Sequence, residues 1–82
     1  MPNPIHQSNY KLFREMLTSI RLEKGLLQSD VADRVRKPQS FISKYERGER
    51  RLDFAEFVQI AEALDIDAGD FLREYKARLK KL

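Results

Sequence analysis

Cysteine is absent from the 82-residue chain, which excludes a disulfide framework and a thiolate metal site. Burial of apolar side chains must therefore hold the fold together. Histidine occurs once, at His6, in an N-terminal stretch that also carries Pro2 and Pro4, so a histidine metal cluster or a histidine-based catalytic pair is not expected. No apolar run approaches the roughly 20 residues that a membrane-spanning helix needs, and the first residues lack the apolar stretch of a secretion signal. A cytoplasmic protein with no membrane contact is the expectation. A nucleophile–base pair, a glycine-rich phosphate loop and a metal-ligand cluster are all missing. Neither an enzyme nor a cofactor is expected, and no small-molecule ligand is evident.

Basic residues are missing from one long segment. Residues 53–72 hold six acidic groups and no basic one, whereas 1–27, 28–51 and 73–82 carry net charges of +2, +3 and +4. The overall charge of +3 is mild, but its segregation suits a nucleic-acid binder that turns a basic face to its ligand and an acidic segment elsewhere. A carboxylate metal site built from Glu56, Glu62, Asp65, Asp67 and Asp70 is not supported, because their spacing has no calcium-loop pattern and suits helix caps and solvated charge.

Apolar spacing divides the chain into five helices. Residues 1–8 read as a flexible N-terminal arm and 9–82 as one domain. From about Asn9, Leu12, Phe13, Met16, Leu17 and Ile20 recur at helical spacing, with Ser8 or Asn9 as cap and Gly25 as terminator. A second helix is expected from Gln28 to Arg36, with Ala32 as the small residue that lets the next helix cross closely. Pro38 blocks its continuation. A third helix follows from Gln39 to Arg47 and Gly48. Asp53 and Glu56 form an acidic capping box for a fourth helix, whose broad apolar arc of Phe54, Phe57, Val58, Ile60, Ala61 and Leu64 is expected to be buried. Asp67 caps a fifth, in which Ala68, Phe71, Leu72, Tyr75, Leu79 and Leu82 share an arc of about 100°. Phe71 and Leu72 are assigned to the domain's own core. Tyr75, Leu79 and Leu82, within a basic amphipathic extension at 73–82, are left to a partner subunit.

The third helix carries the most informative face. Gln39, Ser40, Ser43, Lys44 and Arg47 fall in one polar arc of about 140°, free of carboxylate, with Phe41, Ile42 and Tyr45 on the other side. Amide, hydroxyl and cationic groups together can meet the acceptors of a base edge or a phosphate, and a helix bearing them suits a major groove.

The residues GLLQSDVADRV, with Gly25, Gln28, Val31, Ala32 and Val35, then Ile42, Glu46 and Gly48 in SFISKYERGER, then AEFVQIAEALDID, resemble the Cro/C1-type (XRE-like) helix-turn-helix family over about residues 10–72. That resemblance implies an all-α, five-helix, lambda-repressor-like fold whose second and third helices form the motif. It also implies sequence-specific binding of double-stranded DNA as a homodimer on a palindromic site. By the same resemblance Gln28 grips a phosphate, and Gln39, Ser40 and Lys44 read bases, with Ser43 on the same face. Arg50 and Arg51 approach the backbone, with Arg47 within reach of it. The chain departs from the family pattern at Arg36, where glycine is common, and at Lys37, where an apolar residue is common. Either arginine takes a left-handed angle or the turn shifts, and both cations are candidates for phosphate contact. The expected function is a transcriptional regulator, most simply a repressor. The alternative is an antitoxin-like or adaptor module whose fifth helix binds a partner protein, with DNA binding secondary.

Overall fold

Five helices and no strand make up the computed structural model, which describes residues 4–82 and side chains from Ser8 onward. Helix α1 spans Pro4–Glu23, α2 Gln28–Val35, α3 Gln39–Glu46, α4 Phe54–Ala63 and α5 Ala68–Leu79. Among the described residues no helix is long and apolar enough to cross a membrane.

The first helix starts earlier than its apolar spacing indicates. Proline suits a first helical position, because its φ is preset and its missing N–H would have no partner there. Residues 4–8, expected as an arm, are thus the opening turns of α1, and neither Ser8 nor Asn9 is its cap. Residues 1–3 of the expected arm lie outside the described residues.

The first four helices end in the same way. After α1, Leu26 N–H donates to Arg21 O at 3.1 Å and Gly25 N–H to Leu22 O at 3.0 Å, with Gly25 at φ 70°. This is the paired-bond closure that a left-handed residue permits. The same pattern closes α3 at Gly48. After α2 and α4, however, the left-handed residue is Arg36 (φ 58°) and Asp65 (φ 57°). Arg36 therefore takes the left-handed angle, and the turn keeps its length: Lys37 N–H still reaches Ala32 O at 3.0 Å. Two helix starts follow their sequence signals. Asp53 accepts from Glu56 N–H at 2.7 Å while Glu56 accepts from Asp53 N–H at 3.0 Å, and Asp67 accepts from Asp70 N–H at 2.8 Å.

Leu17, Val31, Ile42, Tyr45, Ile60 and Leu64 are fully buried, drawn from α1 to α4 and the residue that closes α4. Ala32 is 2% exposed where α2 meets α3. Burial without a hydrogen-bond partner pushes the Tyr45 phenol well above its usual value. Two expectations about the core fail. Phe71, not Leu72, enters it, its ring packing against Phe13 and Phe57; Leu72 is 52% exposed. Phe54, the first residue of α4, is 80% exposed.

Candidate nucleic-acid interface

Gln39, Ser40 and Lys44 are exposed on α3, as is Arg47 just past its end, and Ser43 is half-buried, while Ile42 and Tyr45 on the opposite face anchor the helix in the core. The polar arc is therefore presented outward as one surface. Arg47 donates to Ser43 Oγ one turn back and to the Glu49 carboxylate in the following loop.

A polar chain runs beneath this surface. The Arg21 guanidinium meets Glu46 side-on, Nε to Oε2 at 2.7 Å and Nη2 to Oε1 at 3.0 Å, and its Nη1 donates to Leu26 O at 2.7 Å. Both side chains are about nine-tenths buried. The hydrogen bonding that Arg21 donates to Glu46 raises the arginine pKa further, so it stays charged. Gln28 Nε2 donates to the same Glu46 Oε1 at 2.9 Å, and Gln39 Nε2 reaches Gln28 Oε1 at 3.4 Å. The first side chain of α3 is thereby tied through Gln28 to an ion pair that joins α1 to the end of α3. Sequence reasoning missed Arg21 and Glu46 as a pair. The signal was present: Arg21 lies four residues after Leu17 on the buried stripe of α1, a position where a charge implies a partner.

The expected phosphate-contacting cations are held in different ways. Arg50 lies 4.5 Å from the Phe41 ring centroid and meets Glu56 with two bonds, at 3.0 and 2.8 Å. Lys37 Nζ stands 5.3 Å from the same ring. Arg51 stacks on Tyr10 at 4.4 Å, and Arg36 is exposed at its left-handed turn. The Arg50 bonds, together with the bond from Asp53 N–H, hold the Glu56 carboxyl down at about 2. A depressed carboxyl contributes stability that is present above its ordinary range and lost as pH falls through its folded value. Comparing wild type with Glu56→Gln by urea unfolding, the stability gap should be constant above about pH 5 and shrink steadily toward pH 2. A gap that does not change with pH would remove the ion pair from the account of this loop.

The three residues assigned to a partner subunit differ in exposure. Tyr75 is half-buried in its own domain, donating to Asn9 O at 2.9 Å, and its ring lies edge-on to Phe13 with the centroids 6.1 Å apart. Leu79 ends α5 half-buried, and Leu82 lies past the helix, 67% exposed. Phe54 and Leu72 are also exposed. They flank a hollow of about 380 Å³ walled by Phe13, Phe57, Phe71 and Tyr75.

The helix-turn-helix family model HTH_3 matches residues 17–71, the span of this motif and its supporting helices. The chain belongs to the Cro/C1-type, XRE-like family. It is thereby a DNA-binding transcription regulator, in a family of regulators rather than of enzymes. Its structure is similar to that of an XRE-family like protein from Pseudomonas syringae pv. tomato str. DC3000, with 35% identity, 92% of each chain covered and a TM-score of 0.87. It is also similar to the wild-type restriction-modification controller protein C.Esp1396I, with 26% identity, 90% of this chain and 96% of that one covered and a TM-score of 0.82. The C.Esp1396I tetramer in complex with its natural 35 base-pair operator matches at 25% identity over 87% and 93% of the chains, with a TM-score of 0.79. No curated protein matches the sequence. Among the described residues of this XRE-like chain, no three His, Cys, Asp or Glu side chains gather to hold a metal ion.

Proposed function

We propose that this regulator is a repressor that binds a palindromic operator as a homodimer, with α3 in the major groove. The observation that carries the reading is the outward polar face of Gln39, Ser40, Ser43 and Lys44, fixed from below by the Gln28–Glu46–Arg21 chain. Gln39 suits adenine and Lys44 suits guanine, each good pairing being worth about 1–3 kcal/mol of discrimination. Gln28, Arg36, Lys37, Arg47, Arg50 and Arg51 hold the backbone phosphates and set register rather than sequence. The similarity to C.Esp1396I, a tetramer on its operator, supports binding by more than one copy. The dimer face we assign is the exposed apolar patch of Phe54 and Leu72, with Tyr75 in the wall of the hollow they flank and Leu79 and Leu82 further along the C-terminal segment. A second copy is the occupant it fits best, since an isologous contact pairs one self-complementary patch with itself.

Selection of duplexes from a random library at two salt concentrations tests this reading. The expected product is a palindromic consensus with half-sites about one helical turn apart, bound by two chains. Gln39→Ala should relax preference at one position per half-site by about 1–3 kcal/mol and leave the others unchanged. Salt-sensitive binding with no consensus would overturn the proposal and redirect attention to a partner protein on the apolar face.

A further inference from the structure

A cleft of about 360 Å³ opens between the first half of α1 and the loop after α3, walled by Tyr10, Lys11, Arg14, Arg47, Gly48 and Arg51. Four of the six are cations and none is a carboxylate. Each side chain has a reason for its place. The Arg51 guanidinium lies over the Tyr10 ring, and Tyr10 is itself fixed, its hydroxyl accepting from Leu52 N–H at 3.0 Å and donating to Arg50 O at 3.4 Å. Arg14 Nη1 donates to Glu46 O at 2.7 Å, which points the guanidinium into the cleft wall beneath Gly48. A Cβ on Gly48 would stand 2.9 Å from Arg14 Nε, so the left-handed glycine also leaves the space that the guanidinium fills. Among the described residues neither Arg14 nor Arg51 has a carboxylate partner, and Lys11 has only Glu15 at 3.8 Å. Arg47, by contrast, is shared with Glu49.

Like charges held this close, with an aromatic ring supporting one and a main-chain carbonyl another, form a preorganised seat for an anion. Arg47 belongs to both this cleft and the polar face of α3, so the two surfaces are continuous.

We infer that this cleft seats a backbone phosphate of the DNA strand as it leaves the bases read by α3, with Lys11 and Arg14 of α1 as phosphate ligands beside Arg51. The inference rests on the DNA-binding reading above and extends the DNA-facing surface to α1, outside the helix-turn-helix motif. A strand gripped there is held on both sides of the recognition helix, which fixes how deep and at what angle α3 enters the groove.

The test uses the selected operator, wild type and the variants Lys11→Gln, Lys11→Glu and Arg14→Gln. Lys11 is exposed, so its variants keep the fold even if Arg14→Gln melts early; circular dichroism checks both. The slope of log K against log salt should become shallower by about one for each phosphate ligand removed, with the same affinity loss on every operator sequence. Replacing single operator phosphates by neutral methylphosphonates should reveal a position outside the bases read where wild type weakens and Lys11→Gln does not. Unchanged slopes and no such position, with the consensus and the Gln39→Ala effect intact, would overturn the cleft and leave the DNA reading standing. Absence of any consensus would overturn both. A titration with inorganic phosphate distinguishes the sources. Saturable binding that Lys11→Gln abolishes, with DNA slopes unmoved, would assign the cleft to a free anion and overturn the inference.

Discussion

Glu46→Ala should lower the unfolding free energy by about 3–5 kcal/mol, the usual cost of stranding one member of a buried ion pair. In a domain of this size that corresponds to a fall in melting temperature of roughly 15–30 °C. The loss has two parts. Arg21 keeps its charge in a site that is nine-tenths buried, and Gln28 loses the acceptor at 2.9 Å that orients it. The double variant Arg21→Met/Glu46→Leu separates them. With the charge gone from both sides, stability should return to near wild type, because an apolar pair of similar volume commonly serves as well. Gln28 and Gln39 stay untethered, so operator affinity should remain low in the stable double variant. Thermal melts and operator titrations of wild type, single and double variants decide it. A single variant that melts within a few degrees of wild type would show that the pair is not buried as described, and full operator affinity in the double variant would show that the polar chain does not support α3.

Leu72→Glu should abolish the two-chain complex while sparing the fold. Leu72 is half-exposed and makes no part of the core, so the change in monomer stability should stay within about 0.5 kcal/mol. In the proposed dimer it would place a carboxylate against an apolar patch of the second copy, and desolvating that charge without a partner opposes association. Two half-sites held by linked recognition helices gain about 100- to 10,000-fold over one, and the variant should lose that factor on the palindrome. Binding to a single half-site should not change. Sedimentation of the free protein together with titration of full and half operators reads both outcomes. A variant that still binds the palindrome as a pair would move the dimer face away from Phe54 and Leu72.

The five helices were legible because their signals are local: Asp53 with Glu56, Asp67, Gly25, Gly48, and apolar spacing that no strand can match. The polar face of α3 was legible for the same reason, since helical phase alone puts Gln39, Ser43 and Arg47 in line. What the chain hides is settled by distant neighbours. Whether Phe71 or Leu72 turns inward depends on where Phe13 and Phe57 stand, 58 and 14 residues earlier than Phe71. That Arg50 binds Glu56, and Arg21 binds Glu46, follows only once α1, α3 and α4 have packed. Arg36 is an intermediate case. The departure from glycine marked the turn as strained, but only the Lys37 N–H bond to Ala32 O shows that the strain is absorbed in the backbone angle rather than by a longer turn.

The ring of Phe13 is covered by Phe57, Phe71 and Tyr75, and Tyr75 ties back to Asn9, 66 residues away. On a growing polypeptide this closure waits for the last helix to leave the ribosome, with the loop-closure entropy of nearly the whole chain set against it. The helix-turn-helix pair α2 and α3 is synthesised well before, but has no finished scaffold to stand on. A chain interrupted ahead of α5 leaves Phe13 and Phe57 uncovered, apolar surface that exposes the fragment to aggregation and proteolysis.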